Sequence, residues 1–167
     1  LNSPHFLYLR EPAGALDDYA LASRLSYFLT RTAPDAELLG LAQAGELRSN
    51  LHAQTERLLK DDRFERFITD FTQSWLNLRE MDFTIPDRTL YPEYEPYLRF
   101  SMPRETEAFL RELIAGNHPA SAIVKTDFAM INDRMAEHCE IDGVTGSQFR
   151  KVALPVSYTH LRAHETR

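Results

Sequence analysis

The sequence predicts an all-α fold, an irregular bundle of about five to seven helices. Glycine is scarce, with only 6 in 167 residues, and the chain contains several long amphipathic stretches. In these stretches the apolar residues recur every three or four positions, which is the period of an α-helix and not that of a strand. The clearest of them begins at Asp61 and places its apolar side chains on one helical face.

Three shorter helices are predicted before that stretch. The first, LDDYALASRLSYFLTR, begins at Asp17 or Asp18, because an aspartate oxygen can accept hydrogen bonds from the unpaired N–H groups of a helix start. Its inward stripe is predicted to comprise Leu21, Leu25, Phe28 and Leu29. The second helix, TAPDAELLGLAQAGEL, is predicted to end at Gly45, and the third lies in SNLHAQTERLLKD.

The segment DDRFERFITDFTQSWLNL is predicted to supply the core. Its apolar side chains fall within about 100° of one another around a helix axis. They are Phe64, Phe67, Ile68, Phe71, Trp75 and Leu78. An aromatic stripe can also line a cofactor pocket or stack on bases, but helical spacing is typical of a core. We therefore predict that Trp75 is the centre of the packing.

A second long helix is predicted in RFSMPRETEAFLRELIAGNHP, where Phe109 and Leu113 complete the predicted core. Either this helix begins with Pro103 in its first turn, or a longer helix kinks there, since proline lacks a backbone N–H. The loop before it, MDFTIPDRTLYPEYEPY, has no helical period. Its tyrosines and acids either pin the loop to the surface or line a sugar-binding groove.

The last part of the chain, ASAIVKTDFAMINDRMAEHCEIDGV, is predicted to form two short helical turns around Asp127 and Asn132. FRKVAL is then predicted to be the first strand of a following domain.

The composition excludes several classes of protein. The formal net charge of −6, without a cluster of basic residues, argues against binding to nucleic acid. No apolar run approaches the roughly 20 residues that span a bilayer. Cys139 is the single cysteine, so the sequence holds neither an internal disulfide nor the C-x-x-C-H motif that attaches haem.

Paired carboxylates are the first catalytic candidates, since general acid–base catalysis often uses two of them. Glu105 and Glu107 flank Thr106, but residues two positions apart on a helix point about 200° away from each other. Glu107 can pair instead with Arg111, and both acids suit the start of a helix. We therefore favour structural roles for both and keep Glu105, Glu107 and Asp127 as weak catalytic candidates.

Metal and nucleophile patterns are weaker still. The histidines outside the tail are isolated, although His118, Asp127 and His138 could converge in space. Cys139 follows His138 directly, and adjacent helical side chains diverge, so a buried, inert thiol is the favoured interpretation. We expect no metal and no cofactor in this segment.

The closing stretch PVSYTHLRAHET resembles a transposase sequencing adapter translated as protein. We expect residues 155–167 to be such an artefact and the chain to be a metagenomic fragment. His160 and His164 have the spacing of the H-E-x-x-H zinc motif, but Leu161 stands in place of its glutamate. We expect these two histidines to have no function.

Several blocks occur in a familiar order: SPHFLY, LDDYALASRLSYFL, DAELLGLAQAGEL, WLNLR, SMPRETEAFL and DFAMINDRMAEHCEIDGV followed by FRKVAL. Together they resemble the planctomycete-type, cytochrome-c-associated domains of unknown function of large exported bacterial proteins. Cys139 stands where that family has a tyrosine. The resemblance implies a periplasmic or cell-surface location and covalent haem in neighbouring domains, and it supplies no catalytic residues.

The predicted organisation follows from this resemblance. Residues 1–15 end a preceding domain or linker, 16–150 form the helical domain, and 151–154 start a following domain. The first functional hypothesis is a non-catalytic structural or interaction module whose partners are the neighbouring domains of the same polypeptide. The alternative is a component of an exported enzyme acting on a polysaccharide or a redox substrate through its helix carboxylates. The oligomeric state stays open.

Overall fold

The computed structural model describes residues 14–83, 85–87 and 89–154, without the side chain of residue 82. Residues 1–13 and the predicted adapter-derived tail, with His160 and His164, lie outside the described residues. The α-helices of the described part are α1 Asp18–Thr30, α2 Ala36–Ala44, α3 Leu51–Leu59, α4 Glu65–Trp75, α5 Pro96–Ala115 and α6 Asp133–His138. Strands β1 Phe128–Ile131 and β2 Arg150–Ala153 form a single small sheet among these residues. The prediction of an all-α fold with five to seven helices is confirmed.

The chain divides into two compact units, one ending at Phe67 and the other beginning at Ile68. The division falls inside α4, and each unit is described by itself below. The predicted domain limits at residues 16, 150 and 154 stay predictions.

Helix ends in the first unit follow the sequence closely. The Asp17 side chain accepts a hydrogen bond from the Ala20 N–H at 2.7 Å, as predicted for the cap of α1. Asp35 caps α2 by accepting from the Leu38 N–H at 3.0 Å. Gly45 ends α2 with a φ of 70°, a left-handed conformation that glycine adopts without steric cost.

The predicted inward stripe of α1 is wrong in part. The buried face comprises Ala22, Ser26, Leu29 and Thr30, whereas Phe28 is 57% exposed. The two hydroxyl groups can be buried because both are satisfied. Thr30 donates to the Ser26 carbonyl at 2.8 Å, and Ser26 donates to the Ala33 carbonyl at 3.1 Å.

The aromatic stripe of α4 and the turn before it is buried at one end only. Phe64, Phe67 and Ile68 are buried, and the rings of Phe64 and Phe67 stack with centroids 5.3 Å apart. Phe71 is partly buried, and Trp75 is 51% exposed, so the prediction that Trp75 is the centre of the packing is wrong. Trp75 is the last residue of α4, where no further turn can cover its ring, and the ring contacts that of Phe71 at 5.4 Å.

The second unit is organised around α5. This helix begins at Pro96, about two turns before Pro103, so of the two predicted arrangements the longer helix with Pro103 in its interior is the one present. One core cluster joins its first half to β1 and α6 through Leu98, Ile131, Met135 and Ala136. Another joins its second half to β1 through Leu113, Ala122 and Phe128, and the predicted core residue Phe109 packs against it while remaining partly buried.

The region around Asp127 differs from its prediction. In place of a helical turn, β1 follows Asp127 and pairs antiparallel with β2, with Phe128 opposite Ala153 and Ile131 opposite Arg150. The helical turn predicted at Asn132 is present as α6. The strand predicted in FRKVAL is confirmed as β2, and whether it also begins a following domain stays a prediction.

None of the described helices combines the length and the apolar character needed to cross a membrane.

Candidate functional site

A groove of about 610 Å³ lies in the second unit. The second half of α4, the 3₁₀ turn Leu78–Phe83, the loop after it and the first half of α5 all contribute to its lining. Its volume is within the range of pockets that hold small ligands. The aliphatic and proline side chains of the lining are Leu78, Met81, Ile85, Pro86, Pro96 and Pro103.

Three arginines, Arg79, Arg99 and Arg104, also line the groove. The Arg104 guanidinium lies 3.4 Å from the centre of the Phe100 ring, and its Nη1 donates to the Phe100 carbonyl at 3.0 Å. The Arg79 Nε donates to Gln73 Oε1 at 3.4 Å. Among the described residues, neither Arg79 nor Arg104 has a carboxylate oxygen within 4.0 Å.

One face of α5 supplies much of this lining. Pro96, Phe100, Pro103 and Glu107 follow one another at intervals of four, three and four residues, so they share that face. Arg99 and Arg104 stand beside it. The start of α5 therefore decides which side chains reach the groove.

Glu95 fixes that start. Its carboxylate accepts hydrogen bonds from the N–H groups of Tyr97 at 2.6 Å and Leu98 at 2.7 Å, which caps the helix. Arg134 Nε donates to the same carboxylate at 2.9 Å. The backbone donation from Tyr97 and then the Arg134 guanidinium hold the pKa of Glu95 below its usual value. Although Glu95 lines the groove, its carboxylate is engaged in capping the helix and in the pair with Arg134.

A polar network, buried at Asn132 and Ser101, joins α5 to α6. Asn132 Nδ2 donates to Ser101 Oγ at 2.9 Å, and Asn132 Oδ1 accepts from the Met135 N–H at 2.9 Å. The Tyr97 hydroxyl donates to Asp133 Oδ1 at 2.8 Å, and this bond raises the pKa of Tyr97. The network holds the two helix starts in fixed positions.

The three carboxylates kept as catalytic candidates lie in three different surroundings. Glu107 lines the groove. Glu105 is partly buried away from it, where burial raises its pKa to about 7 and Thr106 Oγ1 donates to it at 3.5 Å. Burial, and secondarily the charge of Glu105, raise the pKa of the Cys139 thiol. Asp127 lies in a second pocket.

The second pocket has a volume of about 430 Å³ and includes His118, Lys125, Asp127 and Lys151. Lys151 Nζ donates to Glu112 Oε1 at 2.8 Å, and this contact holds the pKa of Glu112 below its usual value. His118 Nε2 lies 3.4 Å from the same oxygen. This arrangement attaches β2 to the end of α5.

The convergence of His118, Asp127 and His138 on a metal is not supported. His118 and Asp127 share the second pocket, but His138 is not part of its lining. Within the described ranges no group of three or more His, Cys, Asp or Glu side chains has the geometry to hold a metal ion.

The sequence model of one protein family, described as PSD4: Protein of unknown function (DUF1592), matches residues 16–141. The chain belongs to this family. No curated protein and no solved structure matches it.

The groove and the Asn132 network lie wholly inside the span that matches DUF1592, whereas Lys151 of the second pocket lies beyond it. The groove is therefore a feature of the DUF1592 segment of this chain.

The arginines of this DUF1592 groove were missed because the blocks WLNLR and SMPRETEAFL, which contain Arg79 and Arg104, carry no known chemical role, and the two side chains come together only through folding. The periodic face of α5 was a usable signal. Pro96, Phe100, Pro103 and Glu107 keep helical spacing, but the prediction considered only a helix beginning or kinking near Pro103.

Proposed function

We propose that this DUF1592 domain is a non-catalytic interaction module of a larger exported bacterial protein that carries c-type cytochrome domains. The observation that carries the proposal is the groove. It combines apolar walls with two guanidinium groups that have no carboxylate partner among the described residues. Arginine with apolar surroundings is typical of the energetically important part of a protein–protein interface.

The positions of the acids also favour binding over chemistry. A general acid–base pair must reach one substrate bond. Glu105, Glu107 and Asp127 lie respectively in a partly buried site, in the groove and in the second pocket.

The cellular context in this proposal is supported by the resemblance of the ordered sequence blocks to planctomycete-type, cytochrome-c-associated proteins. On the same resemblance we propose that the parent protein lies in the periplasm or at the cell surface. Its haem would be attached in neighbouring domains, since this chain contains no C-x-x-C-H motif.

A second candidate function, a component of an exported enzyme, has one observation in its favour. A carboxyl group with a pKa of about 7, as Glu105 has, can act as a general acid or base near neutral pH. Glu107 would then face substrate in the groove beside Tyr94. If this second candidate is correct, the protein turns over a polysaccharide or redox substrate, and Glu105→Gln or Glu107→Gln abolishes that turnover.

The test begins with sequencing the parent DNA across codon 154 by a method that uses no transposase adapter. The complete protein is then produced in a bacterial host with a haem-attachment system. Its haem content and its cross-links between the groove and neighbouring domains are measured by mass spectrometry. Haem in a neighbouring domain together with cross-links to the groove supports the proposal. A parent without c-type haem contradicts the context, and turnover that depends on Glu105 or Glu107 contradicts the non-catalytic role.

A further inference from the structure

We infer that the groove binds an extended peptide segment in which carboxylate side chains alternate with apolar ones, supplied by a neighbouring domain of the same polypeptide. The inference rests on the proposed function, because it names the chemistry of the partner that the module would bind.

Charge is the first argument. The chain has a formal net charge of −6, yet Arg79, Arg99 and Arg104 meet in one groove. The lining holds two acids against these three arginines, Glu95 and Glu107, and Glu95 is already paired with Arg134. The local excess of positive charge therefore complements an anionic partner.

Geometry is the second argument. The Arg104 guanidinium is held over Phe100 by its ring contact and by the bond to the Phe100 carbonyl. A guanidinium has five N–H donors in a rigid fork, and a single protein acceptor engages only part of it. Arg79 donates through its Nε to Gln73, and none of the described residues accepts from its two terminal amino groups. A guanidinium group held in advance, as that of Arg104 is, loses little entropy when it forms two parallel bonds to a carboxylate.

The apolar part of the lining distinguishes a peptide from a sugar. Leu78, Met81 and Ile85 offer aliphatic surface, which suits apolar side chains. The two aromatic side chains of the lining are both engaged. Arg104 covers a face of Phe100, and Tyr94 packs against the core cluster around Leu98. A groove for sugar rings would instead present open aromatic faces.

The test measures binding to the full chain by fluorescence anisotropy. The probe is a fluorescein-labelled dodecapeptide of alternating glutamate and leucine with Gly-Ser ends, and the matched probe replaces each glutamate by glutamine. The glutamate probe is expected to bind saturably, at least about tenfold more tightly than the glutamine probe, and more weakly as NaCl rises from 0.05 to 0.5 M.

Two double variants locate the binding. Arg79→Gln with Arg104→Gln removes both groove guanidinium groups and is expected to weaken binding at least about tenfold. Lys60→Gln with Arg66→Gln removes the same charge from exposed side chains outside the groove and is expected to leave affinity unchanged. Circular dichroism checks that both variants keep their helix content.

Equal affinity for the two probes, equal losses in the two double variants, or no saturable binding overturns the inference. Tighter binding of an oligogalacturonate to the groove identifies an acidic sugar as ligand and also overturns it. Displacement of the labelled peptide by inorganic phosphate, at concentrations similar to those at which the unlabelled peptide displaces it, would show a small-anion site and would also overturn the inference. If these probes fail while the parent protein still shows cross-links between the groove and a neighbouring domain, the peptide inference falls and the proposed function stands.

Discussion

The two units are stabilised by different kinds of polar contact. In the first unit these are charged contacts at helix ends. Arg57 makes two bonds to Asp35 at 2.8 and 3.1 Å, and Arg63 pairs with Asp61, holding its pKa at about 2. In the second unit the central contacts are neutral and buried, with Asn132 bonded to Ser101. The charged contacts of Asp35 and Asp61 in the first unit are therefore sensitive to pH and salt, whereas the Asn132 contact in the second unit depends on a donor and an acceptor removed from water.

The largest effect is expected at Asn132. Asn132→Ala removes the cap of α6 and leaves the Met135 N–H and the Ser101 hydroxyl without their partner inside the protein. We expect a loss of about 3 kcal/mol in the free energy of unfolding, since a lost cap and buried unsatisfied groups act together. Urea unfolding followed by the fluorescence of Trp75, the single tryptophan, measures it.

Asn50→Ala is the matched control in the first unit. Asn50 also precedes a helix, but its side chain accepts no hydrogen bond from the first turn of α3. Its replacement is expected to cost less than about 1 kcal/mol. Equal losses at Asn50 and Asn132 would remove the distinction between the units.

The second effect concerns Glu105, a carboxyl group of the second unit whose charged form is disfavoured by burial. Its pKa rises from 4.5 to about 7 in the folded protein, so between these values the folded state binds the proton that the unfolded state has released. Stability therefore falls as pH rises through this window. Glu105→Gln is expected to stabilise the protein by on the order of 2 kcal/mol at pH 8 and to have little effect at pH 4.

Thermal unfolding of the wild type and Glu105→Gln from pH 4 to 8 measures this difference. Glu80→Gln changes an exposed side chain and should give parallel curves. A constant offset between wild type and Glu105→Gln at all pH values would show that burial does not disfavour the charge.

The third effect tests the charged contacts of the first unit. The hydrogen bonds from Arg57 hold the pKa of Asp35 below 3.8, so this carboxylate stabilises the folded state above that pH, and the effect is lost as pH falls through the lowered pKa. Asp35→Asn keeps an oxygen for the cap of α2 and is expected to cost about 1 kcal/mol at pH 7 and nothing at pH 2. Hydrogen exchange of α2 amides at the two pH values is the measurement, and a loss that persists at pH 2 would point to the cap instead of the charge.

The smallest effect is expected at Lys151, a charged contact within the second unit. Lys151→Met removes the bond to Glu112 but keeps an apolar stem over the Phe128 ring, which lies 4.1 Å from Nζ. Because the lysine is partly exposed, we expect a loss below about 0.5 kcal/mol, which shrinks further in 1 M NaCl. A larger loss, seen as reduced amide protection of β2, would show that the Lys151–Glu112 pair contributes more than a partly exposed ion pair should.

Local features of the fold were predictable from the sequence because neighbouring residues decide them. The cap at Asp17, the end of α2 at Gly45 and the burial of Phe64, Phe67 and Ile68 are confirmed. The inward face of α1 was predicted wrongly in part. A hydropathy pattern counts Ser26 as a polar, outward residue, but its hydroxyl can be buried because it donates to the Ala33 carbonyl just beyond the end of the helix.

Features that depend on distant partners could not be predicted from local periodicity. β1 is a four-residue strand whose partner lies about 20 residues later, and FAMI alone does not distinguish a short strand from a turn of helix. The candidate site has the same limit. Glu107 was considered for its neighbour Glu105, whereas its companions in the groove, Arg79 and Arg104, are assembled by tertiary packing.

The pairing of β1 with β2 also sets an order of events during synthesis on the ribosome. β1 leaves the exit tunnel about 20 residues ahead of its partner β2, so its edge stays open to foreign strands until residue 153 has also emerged. The contacts described for the first unit involve no residue after Phe67, so they can form while the rest of the chain is still being translated. A translational pause while β1 is outside the tunnel and β2 is still inside it would therefore lengthen the exposure of β1 to aggregation and leave the capped helices of the first unit unaffected.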